Sequence, residues 1–249
     1  LFRSVISEAA RFGAPLPLAE HFIAATLLSS AGAPAAEGPM TIATGNFTLS
    51  EGNQLKGSAE FVAFARWCEE IILVADAGSG RKLCRVPVSD VVITEHLSVA
   101  GEPRDTVAID TALESTAMYA VEDDIEKKIL LLGAVTRAVM MAGAIDMVLE
   151  MSVHYAMERA QFGRPIAKFQ AIQHQLAVIA GEAAASNMAA SAASRAESNC
   201  CSASFLSVMS RMKPVKNTLP SRLSGVMANS IGKTSPLLFC ASISRRTPS

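Results

Sequence analysis

"ERAQFGRPIAKFQAIQ", residues 158–173, interrupts what is otherwise a long helical pattern. Ile125 to Arg159 keeps a helical period over roughly 50 Å at ~1.5 Å per residue, too long for an ordinary surface helix. After the interruption Phe169, Ile172, Leu176, Ile179 and Ala183 make a second apolar stripe, and the small residues of "AGEAAASNMAASAAS" suit close approach of a neighbouring helix. Two such helices joined by a short connection predict an antiparallel pair. The connection is expected to end the first helix at Gly163, as a left-handed C′ residue, and to start the second at Pro165. That arrangement leaves the amides of Ile166, Ala167 and Lys168 free at a helix N-terminus, with Arg159 one turn before it and Gln170 just after it. A guanidinium, an amide and a helix start suit a diphosphate. The same residues also read as a solvated connection in which Arg159 and Arg164 offset the end of the long helix.

Upstream, the period changes. Residues 1–32 read as helical, with Val5, Ala9 and Phe12, then Phe22, Ala25 and Leu28, at helical spacing around a "GAPLP" break. "SSAGAPAAEGP" (29–39) reads as a linker. From Met40 the period becomes two: turn residues Ser50–Asn53 and Ala77–Gly80 separate short strands, and "DVVITE" and "DTVAIDT" add more. The Gly78–Gly80 pair is read as hairpin geometry and not as a phosphate loop. These strands predict an antiparallel β-barrel or sandwich. The fold class is therefore α+β: a helical segment, a β middle domain and an incomplete C-terminal helical bundle. The expected divisions are 1–35, 36–118, 119–197 and 198–249.

Composition limits the function. The 249 residues carry a net charge of −1, with half of them apolar. This gives no reason to expect nucleic acid as a partner. The charge is uneven: all 23 acidic residues fall at or before Glu197, whereas residues 198–249 hold seven of the 22 basic ones and no acid. That Ser-rich basic tail is expected to be either disordered or the product of a reading-frame change near Ser194–Cys200. Five cysteines, an odd number with Cys200 and Cys201 adjacent and no C-x-x-C, and four scattered histidines suggest reduced thiols, with neither a disulfide framework nor a metal site, and a cytoplasmic location. Arg137 and Asp146 interrupt the apolar run Ile129–Leu149, which favours a buried bundle helix over a membrane span.

The stretch "YAMERAQFGRPIAKFQAIQHQLAVIAGEAAAS" (155–186) resembles the acyl-CoA dehydrogenase family: an Arg, then Phe-Gly, then Phe-Gln before the next helix, here Arg159, Phe162-Gly163 and Phe169-Gln170. "TRAVMMAGAIDMVLEMSVHYAMER" and, less specifically, "PLPLAEHFIAATLLSSAG" resemble the same family. The resemblance covers about residues 8–193 and is strongest over 130–186. It implies FAD as cofactor, contacted by Arg159, Gln161, Phe162 and Gln170 and held mainly by a partner subunit. It also implies α,β-dehydrogenation of an acyl-CoA thioester, within a homo- or hetero-oligomer that passes electrons to an unspecified acceptor.

Two departures stand out. The family's base is a glutamate, placed either in the C-terminal helical region or on the long helix. Residues 198–249 contain no acid, and the long-helix position is Gly133, with Glu126 as the nearest carboxylate. No catalytic residue is therefore assigned. In the β-domain, Phe61 stands near the family's flavin-covering Trp, and Trp67, coming later, is read as core packing. Two alternatives stay open beside the enzyme: a non-catalytic subunit of a hetero-oligomeric acyl-CoA dehydrogenase, and a helical interaction protein without cofactor.

Overall fold

Two Schellman motifs set the entry to the fold. The computed structural model describes residues 2–209, with side chains from 3 to 195. Helix α1 (Phe2–Arg11) ends where the amide of Gly13 donates to Ala10 and that of Ala14 to Ala9. Helix α2 (Leu18–Ser30) ends the same way, Gly32 donating to Ser29 and Ala33 to Leu28. Both glycines have positive φ, +60° and +70°, the conformation this cap needs. The "GAPLP" break is thus the gap between two capped helices, as expected.

The β-domain is one curled eight-stranded sheet, β1 (Met40–Ala43) to β8 (Met118–Ala120). The predicted hairpins are present. β2 (Asn46–Leu49) turns at Ser50–Asn53 into β3 (Gln54–Ala63), and β4 (Glu70–Asp76) turns at Ala77–Gly80 into β5 (Arg81–Pro87). β6 (Val91–Thr94) and β7 (Arg104–Ala112) pair along β3, giving the order β6-β7-β3-β2-β4-β5-β8, with β1 also on β4. The sheet is mixed and not purely antiparallel: β4 runs parallel to both β1 and β2. The cause is the segment Phe64–Glu69, which is a crossover and not a turn. Phe64 takes a left-handed conformation (φ 54°), and the chain returns beside β1 instead of beside β3.

Polar anchoring holds that crossover. The side chain of Arg66 pairs with the fully buried carboxylate of Asp105 on β7, with Glu95, and with the carbonyl of His96. Asp105 also accepts the amides of Arg66 and His96. A buried carboxylate is tolerated when donors converge on it in this way.

Two apolar cores follow. One fills the curl of the sheet with Phe47, Leu55, Ile71, Leu73, Val86 and Val107. The other joins α2 and the opposite sheet face to the long helix α3 (Ile125–Glu158) through Phe22, Leu27, Leu28, Met40, Ile72, Leu132 and Val139. α1 lies across α3, and Gly143 allows that approach: a Cβ there would stand 2.2 Å from the carbonyl oxygen of Ser7.

α3 and α4 (Gln170–Met209) form the expected pair. Phe169, Ile172, Leu176 and Ile179 are partly buried and Ala183 and Ala190 fully so, which accounts for the small residues. α3 is long and apolar enough to cross a membrane, but its charges are used inside the protein. Arg137 pairs with Glu20 of α2, and Asp146 accepts from Asn187 of α4 at 2.8 Å. The expected buried bundle helix is buried on one side only. Leu130, Met141, Val148, Met151 and Tyr155 are exposed, because the described neighbours cover only one side of it. α4 runs past the expected division at 197/198 to Met209, with no Gly or Pro to stop it. Residues 210–249 of the basic tail lie outside the described residues.

Candidate functional site

The interruption between α3 and α4 is a β-hairpin. α3 ends at Glu158, with Arg159 as its extended C-cap. Ala160–Gln161 (β9) and Arg164–Pro165 (β10) then pair antiparallel around Phe162-Gly163. Both turn residues have positive φ, 54° and 75°, as a two-residue type I′ turn requires. Phe162 in this region is unusual for an aromatic side chain, and Gly163 takes it without strain.

This corrects the expected local geometry in two ways. Gly163 is not the C′ residue of α3, since the helix ends five residues earlier, at Glu158. Nor does Pro165 open a helix with three free amides. Ile166 donates to the carbonyl of Arg159 at 2.8 Å and starts a 3-10 turn, Ile166–Lys168, and α4 begins only at Gln170. The ladder between Arg159 and Ile166 competes with the helix for the same amide, and it prevails because the I′ turn brings the two arms into register.

The hairpin brings the four sequence-predicted residues to one corner. Arg159 sits at its base, Gln161 and Phe162 at its tip, and Gln170 at the first residue of α4. All four are exposed, Phe162 at 91 %. Among the described residues, the side chains of Arg159, Gln161 and Gln170 have no hydrogen-bond or ion-pair partner. Arg159, Arg164 and Lys168 gather positive charge here, while the one nearby acid, Glu158, faces His154 at 3.1 Å. A guanidinium with two amides can hold a diphosphate, and the exposed ring can lie against a planar heterocycle.

Two residues named in the sequence, Phe169 as part of an apolar stripe and Arg164 as a charge at the helix end, were not assigned to this corner. Phe169 meets Phe162 edge-to-face, with centroids 6.1 Å apart and planes at 81°. Arg164 lies over the Phe169 ring with its guanidinium carbon 4.3 Å from the centroid. The signal was present in the spacing, an Arg directly after Phe-Gly and an aromatic five residues on, but only the hairpin puts them in contact.

Elsewhere, Gly133 lies in α3 with open space around its Cβ position, and Glu126 faces Arg81 at 3.3 Å. Phe61 bulges out of β3 with φ 57° and 73 % exposure. Trp67 is not core packing: it is 41 % exposed and leans on buried Phe64, because the crossover holds it at the domain surface.

The sequence model of the family described as "Acyl-CoA dehydrogenase, C-terminal domain" matches residues 124–213, the stretch that holds α3, the hairpin and α4. Residues 124–213 are an acyl-CoA dehydrogenase C-terminal domain. The wider chain has the acyl-CoA dehydrogenase fold. The ChsE4-ChsE5 complex from Mycobacterium tuberculosis matches with a TM-score of 0.66 at 20 % identity, over 80 % of this chain and 62 % of that one. Butyryl-CoA dehydrogenase from Megasphaera elsdenii gives 0.67 at 15 % identity, over 84 % and 66 %. A glutaryl-CoA dehydrogenase from Mycobacterium smegmatis, solved in complex with FADH2, gives 0.55 at 16 % identity, over 62 % and 46 %. The chain therefore spans less than two thirds of these acyl-CoA dehydrogenases. No curated protein matches it in sequence.

Proposed function

We propose that this chain is a flavoprotein of the acyl-CoA dehydrogenase type, acting on an acyl-CoA thioester, and that the hairpin corner binds FAD shared with a partner subunit. One observation carries the reading: Arg159, Gln161 and Gln170 are gathered at one exposed corner and left without partners of their own. A guanidinium on a rigid hairpin costs less to order on a ligand than one on a mobile loop. Arg159 would pair with a phosphate, Gln161 and Gln170 would donate to phosphate or ribose oxygens, and Phe162 would cover a ring face. Bound FAD supplies the acceptor for the hydride that leaves the acyl β-carbon. The α-proton needs a base within hydrogen-bond reach. Neither Gly133 nor the acid-free stretch 198–249 offers one, so this chain on its own is expected to bind flavin without turning over substrate.

A second reading is a non-catalytic subunit of a hetero-oligomer. It is favoured by the retained corner beside the missing base, and by the similarity to a structure described as a complex of ChsE4 with ChsE5. In either case the family relation favours a cytoplasmic location.

FAD titration followed by flavin fluorescence tests the proposal. Arg159→Ala is expected to weaken binding at least tenfold, since a charge-assisted hydrogen bond contributes about 1.5–3 kcal/mol. Protein that takes up no FAD, alone or with a co-expressed partner, would overturn it. Flavin bleaching by acyl-CoA only with the partner present would select the second reading.

A further inference from the structure

We propose that Arg164 is a positioning residue for the flavin corner: stacked on Phe169, it braces the ring against which Phe162 stands, so Phe162 is presented in one orientation before any ligand arrives. The flavin part of this inference rests on the function proposed above. The brace itself rests on the three side chains.

Phe162 is almost wholly exposed, and nothing else among the described side chains is in ring contact with it. A free aromatic on a turn would sample several rotamers, and ordering one of them on binding costs affinity. The type I′ turn fixes only its backbone. Its ring is met at one edge by Phe169, in the T-shaped geometry that the ring quadrupoles favour. Phe169 is covered from above by Arg164, a cation over its electron-rich face. Arg164 lies on β10 directly opposite Gln161, so the ladder that holds the turn also holds the guanidinium over Phe169. Cation, ring and ring form a chain that ends on the exposed Phe162.

A rival account gives Arg164 a simpler part, as a positive charge that attracts the diphosphate directly. The two accounts differ at Phe169. As a brace, Arg164 works only through that ring; as a bare charge, it is indifferent to it. The experiment is a double-mutant cycle on FAD affinity with Arg164→Ala, Phe169→Leu and both together, in the full chain with its partner if one is required.

The brace predicts that each single substitution weakens FAD binding about two- to fivefold, the scale of one exposed cation–π contact. It also predicts that the double variant is no weaker than the poorer single one, and that Arg164→Lys restores part of the loss. Single effects that multiply, or a Phe169→Leu variant that binds as the parent does, would overturn it.

A second arm needs no flavin. With 4-fluorophenylalanine at position 162, the fluorine resonance of the ligand-free protein should move towards that of a free side chain in both Arg164→Ala and Phe169→Leu. A resonance that ignores both changes sinks the brace even if FAD binds. A resonance that responds in a protein taking up no FAD supports the brace and refutes the proposed function. Arg164 is exposed, so its loss leaves the fold intact, and a thermal melt of each variant verifies that.

Discussion

The amide of Ile166 donates to the carbonyl of Arg159 at 2.8 Å, and this bond fixes what the corner between α3 and α4 presents. It closes the hairpin below Ala160 and Pro165 and so turns Phe162 and Gly163 outwards. Without it, the two helices could meet through a plain helical connection, with Arg159 still wound into α3.

Gly163 is the residue to test for this. Its φ is +75°, and the space around its Cβ position is open. Gly163→Ala therefore carries only the left-handed cost of an L-residue, about 1–2 kcal/mol. That cost falls on the hairpin and not on either core. Hydrogen exchange at the Ile166 amide is expected to speed up about tenfold, while the melting temperature moves by a few degrees at most. A cooperative loss of both helices would contradict a locally built corner.

Acid stability should show two separate limbs. Burial lowers His21 from its usual 6.5 to about 4, and its Nδ1 accepts the Met40 amide at 3.1 Å. The unfolded chain therefore binds a proton near pH 6.5 that the folded chain refuses. Stability should fall by up to roughly 1.4 kcal/mol per pH unit between about 6.5 and 4. Burial acts to raise the carboxyl of Asp105, but hydrogen bonds from Arg66 and from the His96 amide outweigh it and hold the group below the usual carboxylate range. Its contribution is present above the unfolded value of about 3.9 and is lost only as pH falls further. Urea melts from pH 8 to 3 test both. His21→Asn should flatten the upper limb, and Asp105→Ala should cost about 3 kcal/mol at pH 7, because it removes the buried carboxylate of the pair and leaves Arg66 only exposed Glu95 and the His96 carbonyl. A single limb surviving His21→Asn would show that His21 is not its source.

Much of this fold was legible because its signals are local. The "GAPLP" break, the linker at 29–39, the turns at Ser50–Asn53 and Ala77–Gly80, and the stripe Phe169–Ala183 each lie within a short run of chain. What the sequence did not disclose depends on long-range pairing. Nothing around Phe64 says that β4 returns parallel to β1, since that follows from Arg66 reaching Asp105, 39 positions away. At the corner, the residue types of the site were readable, but the hairpin was not: "FGRP" is compatible with a helix C-terminus as well as with a left-handed turn. Choosing between them required knowing that Arg159 and Ile166 come into register. The partnership of Arg164 with Phe169 follows from that same register and was equally hidden.

Gly143 tests the seating of α1 on α3. A methyl group there would meet the Ser7 backbone at 2.2 Å, and backbone cannot swing aside as a side chain does. Gly143→Ala should push α1 off the long helix at a cost of about 1–3 kcal/mol, despite the better helix propensity of Ala. The contacts of Arg11 with Glu150 and of Arg3 with Ser191 should weaken with it. Limited proteolysis within Phe2–Arg11 gives the readout: faster cleavage in the variant is expected, and unchanged cleavage with unchanged stability would mean that α1 is held by other contacts.

The uncovered side of α3 sets the last expectation. Leu130, Ala134, Met141, Ala144, Val148, Met151 and Tyr155 are all exposed and, with Arg137, follow alternating steps of four and three. That is the spacing of a seam against another helix, with large and small side chains interleaved. Exposed apolar surface of this length costs solvation free energy at roughly 25 cal/mol per Å², and burying it between molecules recovers part of that. The chain is therefore expected to self-associate reversibly at micromolar concentration, measured by sedimentation velocity. Met141→Glu with Val148→Glu places two charges in the middle of the seam and should shift the population towards monomer with little change in the melting temperature. Neither side chain belongs to the α2–sheet core, so an equal loss of stability would show that the seam is already covered within the chain.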